Sequence, residues 1–201
     1  MKKLILSIAM FFCLFQTCLA DSPLTTTEFA QVYKEIPIIQ QALKSEDKAL
    51  TPAMLKYIAD KKNPVDVKLS IINALGFTNG KNAERLQRYL ETKYLNMGKD
   101  FYASANASEM ITLAYAYSLD NYVDLDKAFV FAHYARIKSP QSLSVRLMIG
   151  LMEAQLALDV NWGMVYQAVN EVITDKTLVQ DFNPLCVKGI MEYMNEYKAY
   201  K

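Results

Sequence analysis

The chain has 201 residues, with 22 Lys and Arg set against 21 Asp and Glu, one histidine, and 52% hydrophobic residues. A balance so near neutrality, without a basic block, speaks against nucleic acid and anionic membrane surfaces as partners. The length suits a single domain with a sizeable core.

Chain order begins with Lys2 and Lys3, an apolar run from Leu4 to Phe15, and the small residue Ala20. The run is shorter than the roughly 20 residues that cross a bilayer, and Asp21 and Ser22 follow at once, so residues 1–20 read as a cleaved secretory signal. Cutting after Ala20 makes Asp21 the mature N-terminus and implies a periplasmic or secreted protein. Neither Cys13 nor Cys18 has the small residues before it that lipidation requires. No later stretch is long and apolar enough to span a membrane. Without Lys2 and Lys3, 20 basic residues face 21 acidic ones. Cys186 then has no disulfide partner in its own chain, and a buried apolar role on a helix is expected for it.

Residues 21–201 are expected to form one all-α domain. Thr25 with Glu28 offers a capping box for a first helix that Pro37 would kink or split. Thr51-Pro52, Asn63-Pro64, Ser139-Pro140 and Asn183-Pro184 each set a capping side chain before a proline, whose missing N–H costs nothing at the first helical position. Apolar residues at spacings of three and four follow. They are Val65, Leu69, Ile72 and Leu75 before Gly76, then Leu143, Leu147, Leu151, Ala154 and Leu158. Trp162, Val165, Tyr166, Val169 and Ile173 predict another helix, and Cys186, Ile190, Tyr193 and Tyr197 the last. Further helices are expected over 81–95, 108–119 and 124–138. Breaks such as Thr78-Asn79-Gly80 and Asp120-Asn121 are short, so successive helices should fold back as antiparallel hairpins. The longer irregular stretch Asn96 to Ala107 marks where two sub-bundles could meet.

The predicted helix 124–138 carries Ala128, Ala132 and Ala135 on one side and Phe131, Tyr134 and Ile137 on the other, so both sides should be buried. Leu113, Ala114 and Tyr117 on one helix, followed by Lys127, Ala128, Ala135 and Pro140, resemble a tetratricopeptide or Sel1-like repeat over about 30 residues. Val67, Lys68, Leu69 and Ala74-Leu75-Gly76 resemble a helix of a HEAT-type repeat. Both resemblances imply a short α-solenoid whose concave face grips a peptide or protein and performs no chemistry. An irregular helical bundle is the other architecture that the pattern allows.

Catalytic signals are sparse. His133 is the only histidine, so a multi-histidine zinc site cannot form. Asp120, Asp124 and Asp126 lack the glycine and distal glutamate of a calcium loop, and Asp124 reads more simply as a helix cap. Glu109, Glu153 and Glu171 lie in apolar surroundings and are the carboxylates a peptidoglycan-directed hydrolase would use. No cofactor is implied. The thirteen tyrosines offer contact area with a polar tip. Tyr89, Tyr94 and Tyr102 form one candidate binding patch and Tyr193 and Tyr197, with Tyr200, another. Ten methionines, Met148, Met152 and Met164 among them, suit a core or an adaptable groove. The resulting expectation is a non-catalytic binder of another protein or peptide, acting as an adaptor, an envelope-assembly factor or a neutraliser of an effector. A hydrolase and a carrier of an apolar ligand are the alternatives.

Overall fold

The structure is a computed structural model that describes residues 22–78 and 81–200. The signal reading of residues 1–20 and the turn residues Asn79 and Gly80 lie outside those residues. Among the described residues there are ten α-helices, and no strand beyond an isolated bridge between Ser142 and Val179. The fold is all-α, as the spacings predict. The helices are α1 (Pro37–Leu43), α2 (Pro52–Ala59), α3 (Val65–Leu75), α4 (Asn82–Asn96), α5 (Phe101–Ser104), α6 (Ala107–Asp120), α7 (Asp126–Lys138), α8 (Leu143–Ala157), α9 (Trp162–Thr174) and α10 (Pro184–Met194). Single 3-10 turns cover Ala30–Tyr33 and Asn195–Tyr200.

Two of the four proline signals work as read. The Thr51 hydroxyl accepts from Met54 N at 3.3 Å, and the Asn183 amide oxygen accepts from Leu185 N at 2.9 Å. The other two are diverted by neighbours. Asn63 donates its amide to Tyr57 O at 2.8 Å, closing the end of α2, while α3 starts after Pro64 with no side-chain cap. Ser139 ends α7, and α8 begins three residues later than expected, because Ser142 accepts from Val145 N and Asp181 accepts from Ser144 N at 2.8 Å. A carboxylate there also suits the positive end of the helix. Pro37 starts α1 rather than kinking an earlier helix, and residues 22–29 form no α-helix. Likewise α7 begins at Asp126 with Leu125 in the capping position, so Asp124 only accepts from Asp126 N.

The most extensive contacts join α6 to α7 and α8 to α9, and α8 also packs on both α6 and α7, so two antiparallel hairpins stack. Helix α6 is the centre of the molecule. It touches α2, α3, α4, α7 and α8, and eleven of its fourteen residues are buried. On α7, Ala128, Phe131, Ala132 and Ala135 are buried, but Ile137 is 63% exposed, which corrects the expectation of burial on both sides. Gly150 lets α8 approach α9 closely: a Cβ there would lie 2.9 Å from Ala168 O.

The N-terminal segment 22–33 runs into the interior. Phe29 packs between Tyr115 of α6 and Phe182, with ring centres 5.9 and 5.3 Å away. Asn73 of α3 holds this segment's backbone, donating to Thr27 O at 2.8 Å and accepting from Ala30 N at 2.9 Å. Ser22 donates to Gln155 of α8. Cys186 of α10 is buried with its thiol 3.7 Å from Phe29 O, and burial pushes that thiol up to about 11. Phe29 and Leu24 thus join the same core as α6 and α8.

Candidate binding surfaces

Glu109 sits at the third position of α6 with no exposed surface. Its side chain and Asn106 make a reciprocal capping box, the Glu109 N–H donating to Asn106 Oδ1 and the Asn106 N–H to Glu109 Oε2, both at 2.9 Å. The same carboxylate accepts from Lys93 Nζ at 2.7 Å and from Tyr94 Oη at 2.6 Å. Lys93 also donates to Ala59 O at 2.6 Å. This node ties α2, α4 and α6 together, and its carboxylate is enclosed by donors. Burial, and then the hydrogen bond to Glu109, keep the Tyr94 phenol protonated far above its ordinary range. Nearby, Lys68 of α3 donates to Ser108 Oγ at 3.0 Å.

The tyrosines expected to form two patches are distributed differently. Tyr94 is buried against Glu109 and Phe101, so it presents no binding surface. Tyr102 is partly exposed and belongs to an aromatic stack, parallel to Phe131 at 6.1 Å and tilted on Tyr134 at 5.3 Å. Tyr89 stands apart on α4, in a cleft with Arg85, Arg88 and Met97. Tyr193 and Tyr197 are both buried, and their hydroxyls bond each other at 2.8 Å. Tyr197 nonetheless reaches the edge of a second cleft.

That second cleft, of about 620 Å³, is the main feature sequence reasoning missed. Trp162, expected on the buried stripe of its helix, lies at the first position of α9 and is 50% exposed. Its ring meets Tyr200 edge-on at 4.9 Å and Tyr197 at 6.2 Å. Tyr122, Val123, Leu156 and Leu158 add to the apolar lining, with Ser22, Gln155, Asp159 and Glu196 as polar members. The C-terminal turn fits only because residue 163 is glycine, since a Cβ there would stand 2.5 Å from Tyr200 O. Leu156 also lines an adjoining groove of about 440 Å³ with Val160, Met164 and the two carboxylates Glu153 and Glu171. Val123 and Val160 are 79% and 80% exposed. The two apolar linings meet at Leu156, beside the turn between α8 and α9. The available signal was Val160, Trp162 and Met164 at a helix start, where polar residues would be expected.

The remaining expected sites separate. Burial raises the Glu153 carboxyl, with Arg146 and Arg136 opposing and Glu171 adding to the rise. Glu109 is not part of that groove's lining. His133 is exposed, with its ring edge-on to Tyr134. Asp120 is buried and accepts from Ala83 N at 2.7 Å and from Thr78, serving the start of α4. Met148 and Met152 lie in the core, whereas Met164 is half exposed. Among the described residues no three His, Cys, Asp or Glu side chains converge as a metal site would need, and no helix is long and apolar enough to cross a membrane. Compared with protein-family models, curated proteins and solved structures, the chain matches none.

Proposed function

We propose that the chain is an exported, non-catalytic protein that binds another protein or peptide, and that the Trp162 cleft receives it. One observation carries this reading: Val123, Leu156, Val160, Trp162, Met164 and Tyr200 are exposed and line two clefts that share Leu156, with polar residues among the lining. Large patches of this kind mark contact surfaces, and Trp and Tyr are the residues that dominate binding energy at their centres. The leader supports the periplasm or the exterior as the place of binding.

The test is crosslinking in intact cells followed by titration of the captured partner against the mature chain. Trp162 is the chain's one tryptophan, so its emission reports the cleft directly. A blue shift on binding is expected. Trp162→Ala should weaken binding by about 30-fold, the effect of losing one central anchor. Unchanged affinity in both Trp162→Ala and Tyr200→Ala would overturn the assignment.

A hydrolase is the second reading, favoured by Glu153 and Glu171 sharing one groove with the Glu153 carboxyl raised. Glu153→Gln and Glu171→Gln should leave partner binding intact. Digestion of peptidoglycan that both variants abolish would decide for the enzyme.

A further inference from the structure

The Trp162 cleft lies where the chain enters the fold. Ser22, at which the described residues begin, is itself a lining residue of that cleft, and its hydroxyl donates to Gln155, another member. Ser22 is 1% exposed and is fixed by its backbone as well, its N–H donating to Thr26 Oγ1 at 3.1 Å and its carbonyl accepting from Thr26 N at 2.9 Å. Whatever precedes Ser22 is therefore delivered at the wall of the cleft.

In the uncleaved chain, the segment that precedes it suits the lining. Residues 4–20 contain no Asp, Glu, Lys or Arg, and Leu14, Phe15 and Leu19 stand close to the junction. At about 3.4 Å per residue, Leu19 reaches about 10 Å from Ser22 and Phe15 about 24 Å, ample for a cleft of about 620 Å³. A group on so short a tether has an effective concentration in about the millimolar range, so even weak apolar contact with Trp162, Tyr200, Val123 and Leu156 is enough to fill the cleft. Asp159 and Glu196 are exposed, and a charge-free segment on the apolar members leaves both carboxylates hydrated.

We propose that in the uncleaved chain residues 14–20 occupy the Trp162 cleft, so that removal of the leader opens the surface that then receives the partner. This inference rests on the proposed leader and on the cleft as the partner's site, and it ties partner binding to the processed form.

The emission of Trp162 tests this in the full chain and in a chain starting at Asp21, both isolated as monomers. The full chain should emit at shorter wavelength and be quenched less by acrylamide, to the same extent at every chain concentration. Phe15→Ser together with Leu19→Ser in the full chain should return both readings to those of the shorter chain. A peptide of residues 14–21, added under reducing conditions, should shift the emission of the shorter chain with half-saturation at about a millimolar or below, and the full chain should need about tenfold more. Equal emission and quenching in the two chains, a shift that survives the paired serine substitutions, a shift that grows with chain concentration, or no response of the shorter chain to the peptide would overturn the proposal. Partner titration against the shorter chain is a separate readout. Unchanged partner affinity in Trp162→Ala and Tyr200→Ala, with the full-chain emission shift present, would remove the partner from the cleft and leave the leader in it.

Discussion

Lys68 is fully buried on α3, within the charge field of Glu109 and Lys93. Burial lowers its ammonium from an ordinary 10.5 to about 8, Glu109 pulling it back up and Lys93 pushing it further down. Between those two values the unfolded chain holds the proton that the folded chain releases. The Lys68 contribution to stability therefore rises with pH from 8 toward 10. Urea unfolding of the wild type and of Lys68→Met across that range should show the wild type gaining on the variant as pH rises. A difference that stays flat with pH would mean that Lys68 is not shifted. Cys186, the half-buried Tyr33 and the buried Tyr94 and Tyr115 act the other way above about pH 9, because their folded forms keep the proton. Those contributions are common to both proteins and cancel in the difference. None of this is legible at Lys68 in the sequence, where a lysine at helical spacing reads as a solvated face.

At the scale of the element, local chemistry explains most helices and competing partners explain the exceptions. Thr51 and Asn183 cap as their side chains predict, whereas Asn63 has a carbonyl of the preceding helix within reach and Ser139 lies before a loop that Asp181 organises. Two helical glycines give a direct comparison. Gly150→Ala would force a methyl to within 2.9 Å of the Ala168 carbonyl and push α8 from α9, costing about 1–3 kcal/mol. Gly189 on α10 has no heavy atom within 4 Å of the same position, so Gly189→Ala should stabilise by about 0.5–1 kcal/mol. Thermal melts of both variants measure this, and equal shifts would refute close packing at Gly150. The Trp162 surface also belongs to this scale. Periodicity places Trp162 on the apolar stripe, yet its position at the first turn of α9 leaves it outside the packed face.

In the whole molecule, the first helices of the two stacked hairpins are bridged by the N-terminal segment, through Phe29 against Tyr115 of α6 and Ser22 against Gln155 of α8. Leu24 and Phe29 have essentially no exposed surface, and losing either leaves a cavity in the shared core. A chain starting at Asp21 should unfold in one cooperative transition, whereas a chain starting at Lys34 should lose several kcal/mol and bind a dye for exposed apolar surface. Retention of full stability by the shorter chain would show that the segment only rests on the core.

The sequence alone determined the all-α class, the approximate limits of most helices and their hairpin order, because helical periodicity and short breaks are local properties. It also determined the apolar character of Cys186 and the scarcity of residues for histidine-based chemistry. Tertiary structure decided which tyrosines reach the surface, that Glu109 is enclosed by Lys93, Tyr94 and Asn106, and that Glu153 and Glu171 share a groove. It alone assembled the Trp162 cleft and the arginine cleft, since each is built from helices whose contacts depend on how distant faces pack. A side chain's type and spacing set which face it can occupy, but the neighbour that covers that face comes from elsewhere in the chain.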